Sequence, residues 1–119
     1  MPPTRQPSYK LPLQPTIFLI LLALADGDMH GYRLRRAVIE KSQGTVTLDP
    51  GSLYRLIAKL FEDGLVADSS APPDPRDDDE RRRYYTLTKR GRSVLAAETE
   101  RMAQLVAASR AAVSRHRHA

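Results

Sequence analysis

The stretch Asp49-Pro50-Gly51-Ser52-Leu53-Tyr54-Arg55-Leu56-Ile57-Ala58-Lys59-Leu60-Phe61-Glu62-Asp63-Gly64 decides the fold. Asp49 can accept a bond from the first turn of a helix, and Pro50 suits the first helical position because its missing N–H has no partner to lose there. Leu53, Leu56, Ile57 and Leu60 then recur at i, i+3, i+4 and i+7, one stripe of a 3.6-residue helix. Gly64 closes it. With that stripe on a core, Ser52, Arg55, Ala58, Lys59 and Glu62 point outward and Tyr54 sits on the flank. A face that is short at its start and basic in its middle suits a helix lying in the major groove of duplex DNA. Ser52 and the free amides of the first turn can hold a phosphate, and Arg55 can fork onto guanine O6 and N7. Lys59 would meet a phosphate. Taken alone, the same cations also fit a solvated helix face.

Upstream, Pro15 and Thr16 open the run Ile17 to Ala25, apolar nearly all round, which reads as a central helix ending at Asp26-Gly27. Its nine residues fall well short of the ~20 that cross a bilayer. A second helix spans about His30 to Ser42, stopped at Gly44. Met1 to Gln14 holds four of the nine prolines and reads as an extended, flexible arm.

Downstream, the β-prone segments Leu65 to Ser69 and Arg82 to Leu87 flank a Pro- and Asp-rich loop, so they can pair as an antiparallel hairpin. Period-2 alternation puts Tyr85 and Leu87 inward and Arg82 and Tyr84 outward. Arg81, Arg82 and Arg83 would make the stem of this wing cationic, with Arg82 the side chain best placed for a backbone or minor-groove contact. Thr88 caps a long last helix in which Leu95 and Met102, then Val106 and Val113, are one heptad apart, as in a helix that pairs with another helix.

The fold class expected is mainly α with a small β-hairpin wing. Three parts follow: an arm over 1–14, a winged helix-turn-helix over 15–87 with its wing tip at 70–81, and a C-terminal dimerisation helix over 88–119 ending in a frayed basic tail. Phe18, Leu95, Met102, Leu105, Val106 and Val113 are the expected dimer contacts.

The charge is unevenly placed. Five acids against Arg76 give Asp74 to Glu80 a net −4, so the formal +5 of the chain leaves the remainder at +9. A body that basic favours polyanions, since each cation placed on a phosphate releases condensed counterions. Adjacent carboxylates in a loop do not converge as a hard cation needs, so Asp77 to Glu80 is read as a solvated loop and no metal is expected. His30, at a helix start, is read as structural, and His116 and His118 as part of the tail. The chain has no cysteine, no Ser/His/acid spacing, no Gly-rich phosphate loop and no zinc motif, so neither an enzyme nor a cofactor is expected. With no cationic leader before the apolar run, the expected location is cytoplasmic.

His30-Gly31-Tyr32, then Pro50-Gly51-Ser52-Leu53-Tyr54 with Leu60 and Asp63-Gly64-Leu65, then Arg83-Tyr84-Tyr85-Thr86-Leu87-Thr88 with Gly91 and Leu95 resemble the PadR-like regulators. The resemblance covers roughly residues 13 to 97 and points to the short subgroup with a single C-terminal helix. It implies a winged helix-turn-helix homodimer that represses genes, with the tyrosine at position 54 on the DNA backbone and the C-terminal helices forming the dimer. Two departures stand out: Arg55 occupies a position where the family commonly has proline, and the usually short wing tip is long and acidic. Phosphates would repel that tip, so the stem is expected to touch DNA while the tip is displaced. A sequence-specific repressor on a palindromic operator is the resulting expectation, with a small-molecule effector at the dimer interface as the releasing signal. Stacking of aromatic effectors has little support, because there is no Trp and Phe18 is the only aromatic on the first helix. The alternative is a winged-helix module that docks an acidic protein partner.

Overall fold

The computed structural model describes residues 9–70 and 83–117. Arg81, Arg82, the acidic stretch Asp74 to Glu80, His118 and the first eight residues of the arm lie outside them. The order is α1 (Pro15–Ala25), β1 (Met29–His30), α2 (Gly31–Lys41), α3 (Pro50–Glu62), β2 (Val66–Asp68), β3 (Tyr84–Leu87) and α4 (Lys89–Arg117). Three helices and then a wing give the winged helix-turn-helix order, with a long helix appended. Among the described residues, no helix is long and apolar enough to cross a membrane.

Each helix ends where local chemistry stops it. At the end of α3 the Gly64 amide donates to the Phe61 carbonyl at 3.1 Å and the Leu65 amide to Leu60 at 2.9 Å, with Gly64 at φ 79°. This paired closure needs a left-handed residue, and glycine takes that conformation without a Cβ clash. α2 closes in the same way, with Gln43 donating to Glu40 and Gly44 to Ile39, both at 3.0 Å. There the first left-handed residue is Gln43 at φ 56°, so the helix stops one residue earlier than Gly44 alone implies.

α1 is the centre of the core: Ile17, Ile20, Leu21, Ala23 and Leu24 are buried. Leu34 and Val38 of α2, Leu53, Ile57 and Leu60 of α3, and Val94 of α4 close around it with Leu65, Val66 and Leu87. Burying each such aliphatic side chain is worth about 1.5–3 kcal/mol, so this cluster holds the helices together. The last residues of the arm take part as well. Leu13 is buried, and Tyr9 and Leu11 pack against the same cluster.

The wing is part of a three-stranded antiparallel sheet in the order β1-β3-β2. β2 pairs with β3 through Val66 with Leu87, Ala67 with Thr86 and Asp68 with Tyr85. On the other edge, Met29 faces Tyr85 and His30 faces Tyr84. The expectation that Tyr84 points to solvent is therefore corrected, because Tyr84 is buried. Strict alternation holds for a strand with one wet face, but the added strand brings the His30 ring edge-on to Tyr84 with centroids 5.3 Å apart.

α4 is docked at its start and free beyond. The Thr88 hydroxyl donates to the Gly64 carbonyl at 2.7 Å and accepts from the Gly91 amide at 2.9 Å. A Cβ on Gly91 would lie 2.2 Å from the Leu65 carbonyl oxygen, so only glycine lets the helix come this close. Gly91, Val94 and Glu98 are buried, whereas Leu105, Val106 and Val113 are exposed. At 1.5 Å per residue, the 29 residues of α4 extend about 43 Å, well beyond the core.

Candidate nucleic-acid interface

The outward face of α3 begins with a built cap. Asp49 accepts from the Ser52 amide at 2.8 Å and, through its second oxygen, from the Ser52 hydroxyl at 3.0 Å. These bonds, the backbone one foremost, hold the Asp49 carboxyl below its ordinary value. Arg55 Nη2 donates to the Ser52 hydroxyl oxygen at 3.0 Å. Asp49, Ser52 and Arg55 thus form one chain of hydrogen bonds that starts the helix and orients the guanidinium, with Arg55 exposed.

Tyr54 is half exposed, and the seat of its phenol is not evident from spacing. A Cβ on Gly31 would lie 2.3 Å from the Tyr54 hydroxyl. The absence of a side chain at the first residue of α2 therefore lets the tyrosine lie across the start of that helix. The glycine of His30-Gly31-Tyr32 and the tyrosine of α3 are two halves of one contact. His30 completes the corner by capping α2, its Nδ1 accepting from the Arg33 amide at 3.2 Å.

Lys59 is outward, as its spacing implies, but it is engaged. Its ammonium lies 3.4 Å from Asp63 and 5.7 Å from the centroid of the Tyr9 ring. Burial raises the Tyr9 phenol above its ordinary value, against the opposing pull of Lys59.

Arg83, one of the cations expected on the wing stem, is pinned. Its Nε and Nη2 both donate to Asp68 Oδ1, at 3.0 and 2.8 Å. The guanidinium also lies over the Phe61 and Tyr85 rings, 5.4 and 5.3 Å from their centroids. The bond to Asp68 raises the Arg83 pKa. Sequence reasoning gave Gly31 no role beyond its place in the family motif and passed over Phe61 and Asp68; only the basic run Arg81 to Arg83 signalled this corner, and it does not show which acid answers it.

With this geometry in view, the family model for the transcriptional regulator PadR-like family matches residues 20–97, well over half of the chain. The chain belongs to the PadR-like family. Among curated proteins it is 41% identical over 87 residues to an uncharacterized 37.1 kDa protein in transposon TN4556 of Streptomyces fradiae. That match covers 73% of this chain but 23% of the relative, so the chain spans about a quarter of that protein's length.

Solved structures of transcription regulators share the fold. A PadR family transcription regulator from Clostridium difficile R20291 superposes with a TM-score of 0.67 at 20% identity, over 82% of this chain and 97% of that one. Bacillus subtilis PadR, solved in complex with operator DNA, gives 0.58 at 21% identity, over 72% and 46%. A transcriptional regulator from Clostridium thermocellum gives 0.63 at 21%, over 80% and 86%.

The matched PadR-like span ends at residue 97, so the projecting part of α4 lies beyond it. Of the residues expected to dimerise, Phe18 and Leu95 are partly buried in the chain's own core, and Met102 is partly covered. Leu105, Val106 and Val113 are bare, at 57, 48 and 55% exposure, on the part of the helix that leaves the body.

Proposed function

We propose that this PadR-like chain is a sequence-specific DNA-binding regulator that acts in the cytoplasm as a homodimer and represses transcription from a palindromic operator. The observation that carries the reading is the division of α3. Leu53, Ile57 and Leu60 are fully engaged in the core, while Arg55 and Lys59 are outside with Ser52 and Tyr54 beside them. In this reading α3 enters the major groove, Arg55 reads a base edge, and Ser52, Tyr54 and Lys59 meet phosphates. Arg81, Arg82 and Arg83 border the duplex from the wing stem, and the acidic tip is held off it.

Leu105, Val106 and Val113, continued by Met102 and Leu95 and joined by Phe18, form the contact with a second copy. Three large apolar side chains on one projecting helix are a costly surface to leave wet, and a second copy covers it. A small molecule entering between the first and last helices releases the repressor from its operator.

Selection of bound sequences from random duplex DNA by the purified protein tests this. The expected product is a palindrome with half-sites about one helical turn apart. A selected pool with no shared motif, together with binding that has no preference, would reject it. Deleting Pro73 to Asp79 is expected to preserve operator affinity, as checked by titration of the deletion variant.

A further inference from the structure

Glu98 is the one charged side chain buried among the described residues, at 1% exposure, and it lies on the docked half of α4. Its carboxylate is fully answered. Arg101 donates from Nε to Oε1 at 2.5 Å and from Nη2 to Oε2 at 3.0 Å, and the backbone amide of Leu13 donates to Oε2 at 2.9 Å. A buried carboxylate is costly unless paired and hydrogen-bonded, and here one of its three bonds comes from a segment 85 residues away in sequence. The Leu13 side chain is buried beside it. Four residues earlier, Tyr9 lies against α3, with the Lys59 ammonium over its ring and Asp63 next to the phenol. Residues 9–14 therefore run from the far end of α3 to Glu98, the last buried residue of α4. α4 packs chiefly on α1 and β3, and its first turn meets the end of α3 where Arg90 donates to the Asp63 carbonyl, so residues 9–14 add a second link, from the later turns of α4 to α3.

Resting on the DNA-binding reading above, we infer that residues 9–14 are a strap that restrains Lys59 from phosphate and that Glu98 latches the strap to α4. While Leu13 is held by Glu98, Tyr9 stays on α3 and Lys59 is shared between its ring and Asp63. A cation so engaged offers less to a phosphate than a free one. A shift of α4 that parts Glu98 from the Leu13 amide releases the strap and presents Lys59. Glu98 is a positioning residue in this scheme, acting on DNA through Leu13 and Tyr9. The arrangement carries a change at the long helix to the reading helix without bending the core between them.

The test is the salt dependence of binding by the full chain to a mixed-sequence duplex of about 30 base pairs. Tyr9→Ala is expected to tighten binding and to steepen the slope of log K against log salt by about 0.9 for each protomer bound, one released phosphate contact. Glu98→Gln should shift the slope in the same direction by a smaller amount, and Lys59→Gln should abolish the gain in both backgrounds. Should Glu98→Gln fail to fold, as judged by circular dichroism, Arg101→Lys tests the latch, since a lysine keeps the charge but loses the two-pronged grip. A slope that is unchanged or shallower in Tyr9→Ala overturns the strap. Folded latch variants that bind like the parent overturn its coupling to α4. If the parent itself does not bind the duplex, the DNA-binding reading falls and the strap with it, whereas normal parental binding with unmoved variants removes the strap alone.

Discussion

α3 and the residue before β3 both bring an arginine to the surface, yet the two are held differently. Arg55 rests on Ser52 of its own helix, by one bond to a hydroxyl that is itself oriented by Asp49. Arg83 is gripped by a carboxylate on the neighbouring strand and laid over two aromatic rings, one of them Phe61 of α3. A formal positive charge is thus a different object in the two places. On α3 it is oriented and available; on the wing stem it fastens strand to strand and strand to helix. In a basic run, position does not show which cations are left for a ligand, because the answering acid sits elsewhere in the chain.

The contrast can be broken first at Arg55. Arg55→Ala is expected to weaken operator binding on the order of 10- to 100-fold, the range for losing one forked base contact, with the thermal midpoint nearly unchanged. A loss as large from Arg83→Ala would erase the distinction between the two sites. Gly31→Val should come next. Its side chain would need the space of the Tyr54 hydroxyl, so the half-exposed tyrosine must swing away. We expect DNA affinity to fall several-fold, with loss of any tyrosine fluorescence change on binding.

Asp49→Ala acts on the start of α3 itself. It removes the cap from the Ser52 amide and frees the hydroxyl that orients Arg55, so both the melting temperature, by a few degrees, and DNA affinity should drop. Acid should do the same. Because the folded carboxyl is held below its ordinary value, its contribution is present above that ordinary value and is lost as pH falls through the depressed one. A melt followed from neutral to acidic pH in the parent and in Asp49→Ala checks this, the two curves converging at the acid end. The smallest effect is expected from Arg83→Gln. The pair with Asp68 is more than half exposed on both sides, so it is worth about 0–1 kcal/mol, and a titration should show DNA affinity moved by less than a single-contact loss.

These differences also mark how far the sequence could be read. The four helices were legible because their signals are local: Asp49-Pro50 at the start of α3, Gly64 at its end, Thr88 before α4, and an i, i+3, i+4, i+7 stripe between the caps. The outward placement of Ser52, Tyr54, Arg55 and Lys59 followed from that stripe alone. β1 was missed because two residues carry no periodicity, and without β1 the alternation of β3 put Tyr84 on the wrong side. The seat of Tyr54 over Gly31, the Asp68 grip on Arg83 and the Glu98 bond to Leu13 are pairings between residues 15 to 85 positions apart. No property of either residue alone announces them. Leu13 is the clearest case: among prolines it reads as part of an arm, and its burial depends on where α1 and α4 leave a gap.

In the proposed binding mode α3, and not the wing stem, reads sequence. This is tested most directly by repeating the selection from random duplex DNA with Arg55→Ala and Arg83→Gln beside the parent. Arg55→Ala is expected to lose preference at one position of each half-site and Arg83→Gln to select the parental sequence. A parental motif from Arg55→Ala with an altered one from Arg83→Gln would contradict it.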